Sequence, residues 1–267
     1  MNQYKILLLI STLLFTSTMQ AKDIKIPIEG YQLHATKQGQ GSNIVVFESG
    51  FGSDASVWDT IVAQLPSTYT SITYSRAGIG KSESDGNPKS IKEHVKGLKT
   101  VLDHLNISNK VTLVGHSYGG IIVTEFLKSA PERVSGLVLV DPATLGQRVA
   151  YKKENETRVL QDDSKLLGYM PPHMASQYQK LIEQLDITKD HESYPDVPVS
   201  IITSTHVAKQ PFTLEETKEG KEIWKQLHTN LFNHFNNGLH IKTSEVGHNI
   251  HKQNPELVID AIRFVSK

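Results

Sequence analysis

The feature that most narrows the folds open to this sequence is an alternation of two kinds of segment. Short apolar runs rich in β-branched residues recur at 43–47, 71–74, 110–114, 135–140 and 197–202, with a sixth at 239–243. Longer stretches between them carry apolar residues at helical spacing. Val57, Trp58, Ile61, Val62 and Leu65 follow Asp54; Ile91, Val95, Leu98, Val101, Leu102 and Leu105 follow Ser90. Ile121, Ile122, Phe126 and Leu127 follow Ser117, and Pro255 opens a last helical run. Runs that are apolar throughout belong to strands buried on both faces. Strands alternating with helices form a mostly parallel sheet with right-handed crossovers. The expected fold class is therefore α/β, a mostly parallel central sheet flanked by helices. Residues 145–194 interrupt the alternation: they are highly charged, contain Pro171-Pro172 and read as helices. Their place between the fourth and fifth strands suits a helical cap inserted over a site.

The first 21 residues stand apart. A polar start carrying Lys5 leads into the apolar run Ile6 to Phe15, then small and polar residues up to Ala21, then Lys22-Asp23. This is the pattern of a secretory signal peptide, and the run is short for a bilayer span. Cleavage is expected near Ala21, leaving 22–267 as one domain exported to the periplasm or the medium. The chain has no cysteine, which excludes a disulfide framework, a lipid-anchored cysteine and a thiolate metal site. Lys and Arg number 28, as do Asp and Glu, so the formal charge is zero. That balance argues against nucleic acid or an anionic membrane as the main partner. The expected partner is a small molecule, and composition leaves the oligomeric state open.

Gly115-His116-Ser117-Tyr118-Gly119 has the G-x-S-x-G form of a nucleophile elbow. Its context says more than its letters: an apolar strand feeds into it and an apolar helix follows at once. A strand turning that abruptly forces the serine into a strained backbone, and glycines two residues either side remove Cβ atoms that would clash. The Ser117 oxygen then stands at a helix N-terminus, where developing negative charge is favoured. A serine hydroxyl needs a base. His248, in Val246-Gly247-His248-Asn249 between the last strand and the last helix, has the right setting among twelve histidines. The third partner is less defined. No carboxylate occurs from Thr203 to Gln210, after the fifth strand. Asp141 follows the fourth strand directly, at the strand end where open α/β sheets place their sites. Asp141 is favoured as the acid, with Glu215 the alternative. Backbone N–H groups of Phe51, in Gly50-Phe51-Gly52, and Tyr118 are the expected oxyanion hole.

These segments together resemble one family. Phe47-Glu48-Ser49-Gly50-Phe51-Gly52 with Trp58, Tyr74-Ser75-Arg76-Ala77-Gly78-Ile79-Gly80-Lys81-Ser82, the elbow, Leu137 to Pro142 and Gly247-His248-Asn249-Ile250-His251 are similar to the α/β-hydrolase fold-1 family, in order from about Asn43 onward. The resemblance implies a serine hydrolase acting on an ester or related acyl bond and carries over Ser117 and His248. The missing acid after the fifth strand departs from the commonest pattern and looks like relatives that use the preceding strand. A hydrolase-fold ligand sensor with slow or no turnover, and an aminopeptidase acting on small peptides, stand as alternatives. Gly80-Lys81-Ser82 ends like a phosphate-binding loop, but Ser75 stands where such a loop needs glycine. Neither His228 with His234 nor His248 with His251 comes with a carboxylate at metal-ligand spacing. No metal and no cofactor are implied.

Overall fold

The computed structural model describes residues 21–266. The leader expected up to Ala21 thus lies, but for that residue, outside the described residues. Eight strands, β1 (Lys22–Ile28), β2 (Tyr31–Gln38), β3 (Asn43–Glu48), β4 (Tyr69–Tyr74), β5 (Val111–His116), β6 (Val134–Val140), β7 (Val199–Ser204) and β8 (Gly238–Thr243), form one sheet. Their order is β1-β2-β4-β3-β5-β6-β7-β8. β3 to β8 run parallel, while β1 and β2 form a hairpin that joins the sheet antiparallel to β4. Each of the six runs read from the sequence lies on a strand, although the fifth sits two residues later than expected. The β1–β2 hairpin is an addition. Lys22–Ile28 buries only Ile26 fully, so the hairpin lacks the continuous apolar run that marks the inner strands.

Side chains of the inner strands point alternately to two apolar layers. Val46, Leu113, Leu137, Leu139 and Ile201 meet one face with α2 (Ile91–His104) and α3 (Tyr118–Ser129), through Leu98, Val101, Ile121 and Phe126. Val45, Phe47, Val114, Val138, Val140 and Ile202 meet the other with α1 (Asp59–Gln64) and α8 (Pro255–Val265), through Ile61, Val258, Ile259 and Ile262. Each such side chain contributes about 1.5–3 kcal/mol by leaving water. The starts of these helices follow local signals. Ser90 and Glu93 form a reciprocal capping box for α2, and Asp54 caps the short 3₁₀ turn Ala55–Trp58 ahead of α1.

Residues between β6 and β7 form α4 (Gln147–Tyr169) and α5 (Pro172–Ile187). α4 breaks its helical path at Asn155, whose side chain accepts from the Arg158 N–H to start the second stretch. Arg148 donates to both Asp163 oxygens, at 3.0 and 2.7 Å, and to Asp186 at 2.8 Å, tying α4 to α5. Among the described residues no helix is long and apolar enough to cross a membrane.

α3 approaches the end of β3 closely. A Cβ placed on Gly119 would lie 2.3 Å from the Glu48 carbonyl oxygen, and one on Gly115 would lie 2.6 Å from the Gly119 carbonyl oxygen. Both obstacles are backbone, which cannot swing aside. Gly119→Ala is therefore expected to cost at least about 3 kcal/mol in urea unfolding, as overpacking against a backbone does. Gly168→Ala, where an added Cβ meets nothing within 4 Å, is expected to stabilise by about 0.4–1 kcal/mol.

Candidate active site

Parallel strands all end on one edge of the sheet, and the residues singled out from the sequence collect there. Ser117 follows β5, Asp141 follows β6, Phe51 lies in the loop after β3, and His248 lies between β8 and α7 (Ile250–Gln253). This is the edge at which open α/β sheets carry their ligands.

Ser117 caps α3 with φ 51° and ψ −123°, a conformation that a side-chain-bearing residue adopts at a cost of about 1–3 kcal/mol. Its backbone is held on both sides: its N–H donates to Val140 at 3.2 Å, and its carbonyl accepts from Gly120 at 2.8 Å and Ala143 at 2.9 Å. The turn at Ser117 is thus hydrogen-bonded to the segment that carries Asp141. Tyr118 is the first residue of α3, so its N–H has no intrahelical acceptor.

Asp141 also has a positive φ, 43°, and its side chain is wholly buried. Three donors satisfy it. Oδ1 accepts from the Ser204 N–H at 2.8 Å and from the Trp224 indole at 2.7 Å; Oδ2 accepts from His248 Nδ1 at 2.7 Å. Burial would raise its pKa, but the His248 bond and the positive charges of its surroundings outweigh burial and hold it below the ordinary carboxylate value. His248 shows the reciprocal effect. Burial disfavours its charged form, yet the bond to Asp141, that residue's charge and the charge of Glu215 raise its pKa above the ordinary 6.5. With Nδ1 donating to Asp141, His248 keeps Nε2 as its free basic nitrogen. The Asp141 side of the expected pair is therefore brought together with His248 through a direct hydrogen bond. Glu215, the alternative, acts on His248 through its charge, and burial raises its own pKa.

Several supporting residues carried little or no sequence signal. Trp224, on α6 (Lys218–Phe232), packs in the core and also donates to Asp141. His228, one turn further along α6, is buried, and burial lowers its pKa to about 4. Its Nε2 donates to the Pro142 carbonyl at 2.7 Å and its Nδ1 bonds Thr203 Oγ1 at 2.7 Å, so it ties the turn after Asp141 to the end of β7. His116 is buried and kept neutral by burial and by its histidine neighbours. Its Nε2 donates to the His248 carbonyl at 3.0 Å, and its ring lies 4.7 Å from that of His248 and 4.2 Å from that of His251.

The Phe51 loop is held by a buried cation. Arg76 pairs with buried Glu48 and donates to the carbonyls of Ser49, at 2.6 Å, and Gly50, at 2.5 Å. In a trans peptide the Gly50 carbonyl and the Phe51 N–H point in opposite directions. Gripping that carbonyl therefore directs the Phe51 N–H away from Arg76. Gly50 itself lies against the elbow: a Cβ there would be 3.4 Å from Ser117 Cβ.

A family model for the alpha/beta hydrolase fold matches residues 43–188, more than half of the chain. The chain belongs to the α/β-hydrolase fold family. A hydrolase of this fold takes a small-molecule substrate. An uncharacterized protein of Bacillus subtilis, YqjL, is 26% identical over 236 residues, covering 88% of each chain. Among solved structures, carboxylesterase CesB of Bacillus subtilis superposes with a TM-score of 0.62 at 17% identity, covering 93% of this chain and 92% of that one. A thermophilic esterase of Thermogutta terrifontis superposes with a TM-score of 0.61, also at 17% identity, covering 91% and 97%. At that identity the two structures speak for the α/β-hydrolase fold alone.

Trp224→Phe removes one of the three donors to the buried Asp141 carboxylate. The expected loss is about 1.5–3 kcal/mol, as for a hydrogen bond to a charged group, read as a lower urea midpoint.

Proposed function

We propose that this α/β-hydrolase is a serine hydrolase cleaving an ester or related acyl bond, with Ser117 as nucleophile, His248 as base and Asp141 as acid. The observation that carries the reading is the 2.7 Å bond from His248 Nδ1 to Asp141, made at the sheet edge where Ser117 stands at the start of α3. In this reading Ser117 Oγ attacks a carbonyl carbon and His248 Nε2 accepts its proton. Asp141 holds the ring in the required tautomer and stabilises the imidazolium. The Phe51 and Tyr118 N–H groups receive the oxyanion of the tetrahedral intermediate. His248 returns its proton to the leaving group, and the acyl-enzyme is opened by a water that His248 deprotonates in turn.

The helical insertion at about 145–194 serves in this reading as a cap, since Met174 and Gln177 of α5 line a cavity together with Phe51 and Tyr118. Export rests on the pattern of residues 1–21. N-terminal sequencing of protein recovered from the periplasm or medium is expected to start close to Lys22.

Three outcomes follow for turnover of p-nitrophenyl acetate. Ser117→Ala is expected to abolish it, and turnover equal to the parent's would overturn the reading. Asp141→Asn is expected to lower kcat on the order of 10⁴-fold in a folded protein. The acid limb reports His248, which must be neutral to accept a proton. Because its pKa is raised, kcat/KM is expected to fall as pH drops through a value above 6.5. Removing the Asp141 charge moves that limb to lower pH.

A further inference from the structure

The residue just before Ser117 is a histidine whose side chain the reaction does not consume. His116 closes β5, pairs with Val140 of β6 and is 3% exposed. Burial, with His248 and His251 beside it, keeps the ring neutral. A neutral imidazole carries one N–H, and the bond to the His248 carbonyl at 3.0 Å places it on Nε2. Nδ1 is left as an acceptor; it is buried and has no hydrogen-bond partner among the described residues. An apolar side chain would fill the same space without leaving a nitrogen unpaired, so packing alone does not call for a histidine here.

The ring stands between two loops of the site. On one side is the His248 loop. On the other is Gly50, where a Cβ would lie 2.8 Å from His116 Nδ1 and 3.3 Å from its Cε1. His248 needs more than Asp141 to be placed. The bond to Asp141 fixes where Nδ1 lies, but one bond leaves the ring able to turn about that contact, and Nε2 on the far side turns with it. The remaining constraints act through the main chain. Ser204 Oγ donates to the Val246 carbonyl at 2.7 Å, and the Gly247 N–H donates to Gln253 Oε1 at 2.7 Å. His116 holds the carbonyl of His248 itself. That bond differs from the others in its origin, because the residue that makes it is covalently joined to Ser117. His116 and His248 are 132 residues apart in the chain, yet one side chain and one peptide connect Ser117 to the His248 backbone.

We propose that His116 is a positioning residue: its Nε2–H fixes the His248 main chain relative to Ser117, so that Nε2 of His248 is held toward the serine hydroxyl. The proposal rests on the serine-hydrolase reading and adds to it a residue that touches neither substrate nor the reacting atoms. It acts through a single donor nitrogen, which separates it from a ring that only fills space.

The test replaces His116 in three ways and follows turnover of p-nitrophenyl acetate. His116→Gln puts an amide N–H at the reach of Nε2, His116→Asn is too short to make the bond, and His116→Leu has no donor. In folded proteins the Asn and Leu variants are expected to lower kcat about ten- to a hundredfold, the upper figure being that of a misplacement of about 1 Å. KM is expected to stay within about twofold, because the same base serves acylation and deacylation and slowing both leaves their ratio unchanged. His116→Gln is expected to keep kcat within about threefold, since the bond is remade. A ring that only fills space predicts the opposite order, with Leu closest to the parent. Parental kcat in all three variants, an effect confined to KM, a Gln variant no faster than Leu, or loss of the fold in both Asn and Leu overturns the proposal. A second measurement does not depend on turnover. In Ser117→Ala the proton between His248 and Asp141 is expected to give a sharp far-downfield NMR signal, kept on adding His116→Gln and broadened or lost on adding His116→Asn or His116→Leu. That pattern is expected even if Ser117→Ala hydrolyses the ester as fast as the parent, which would sink the serine-hydrolase reading by itself. A signal unchanged in every combination overturns the role of His116 alone.

Discussion

The buried carboxylate of Asp141 is the constraint on which the carboxyl half of this molecule depends. A carboxylate taken out of water costs several kcal/mol unless its lone pairs are filled. Here they are filled by a backbone N–H at the end of β7, an indole on α6 and an imidazole after β8. None of these donors is near Asp141 in the chain, so β7, α6 and the loop after β8 must all be in place before the charge is satisfied. His228 extends the same arrangement by holding the Pro142 carbonyl. The same contacts that make burial tolerable also set the tautomer of His248, so stability and site geometry rest on common bonds.

Strain is concentrated where this half meets the other. Ser117 and Asp141 both carry positive φ, and the backbone bonds from Ser117 to Val140 and Ala143 join the two turns directly. Neither conformation would persist alone, since each costs about 1–3 kcal/mol. β5 and β6 pair in parallel register up to His116 and Val140, so the two turns leave the sheet side by side. The close approach of Gly119 to the end of β3 adds a third strand to this junction. On the far side the Glu48–Arg76 pair orients the Phe51 peptide, so the two N–H groups flanking Ser117 are positioned by separate devices: a helix start and a buried cation.

The α5 wall of the cavity is hydrogen-bonded to the segment just ahead of α2, through Gln177 to Lys89 and Gln184 to Ile91. The insertion is thereby attached at two places along α5 rather than resting on apolar contact alone.

How much of this was legible follows from the range of each interaction. The inner strands were readable because burial on both faces leaves an unbroken apolar run, as in Val111 to Val114. The β1–β2 hairpin was not, because edge strands with one partly covered face leave a weak pattern. Ser117 and His248 stood out through local context, a strand, a turn and a helix in succession. Asp141 was reached from an absence after β7, and only its hydrogen bonds separate it from Glu215. Trp224, Ser204, His116 and His228 gave no signal of the bonds they make, since each acts through a partner at least 25 residues away in the chain. The sequence by itself therefore determined the parallel sheet and the abrupt strand-to-helix turn at Ser117, because periodicity and turn chemistry are local. Which carboxylate meets His248 and which carbonyls Arg76 grips were decided only in the tertiary structure, because a buried charge or dipole is satisfied by whatever the folded chain brings beside it.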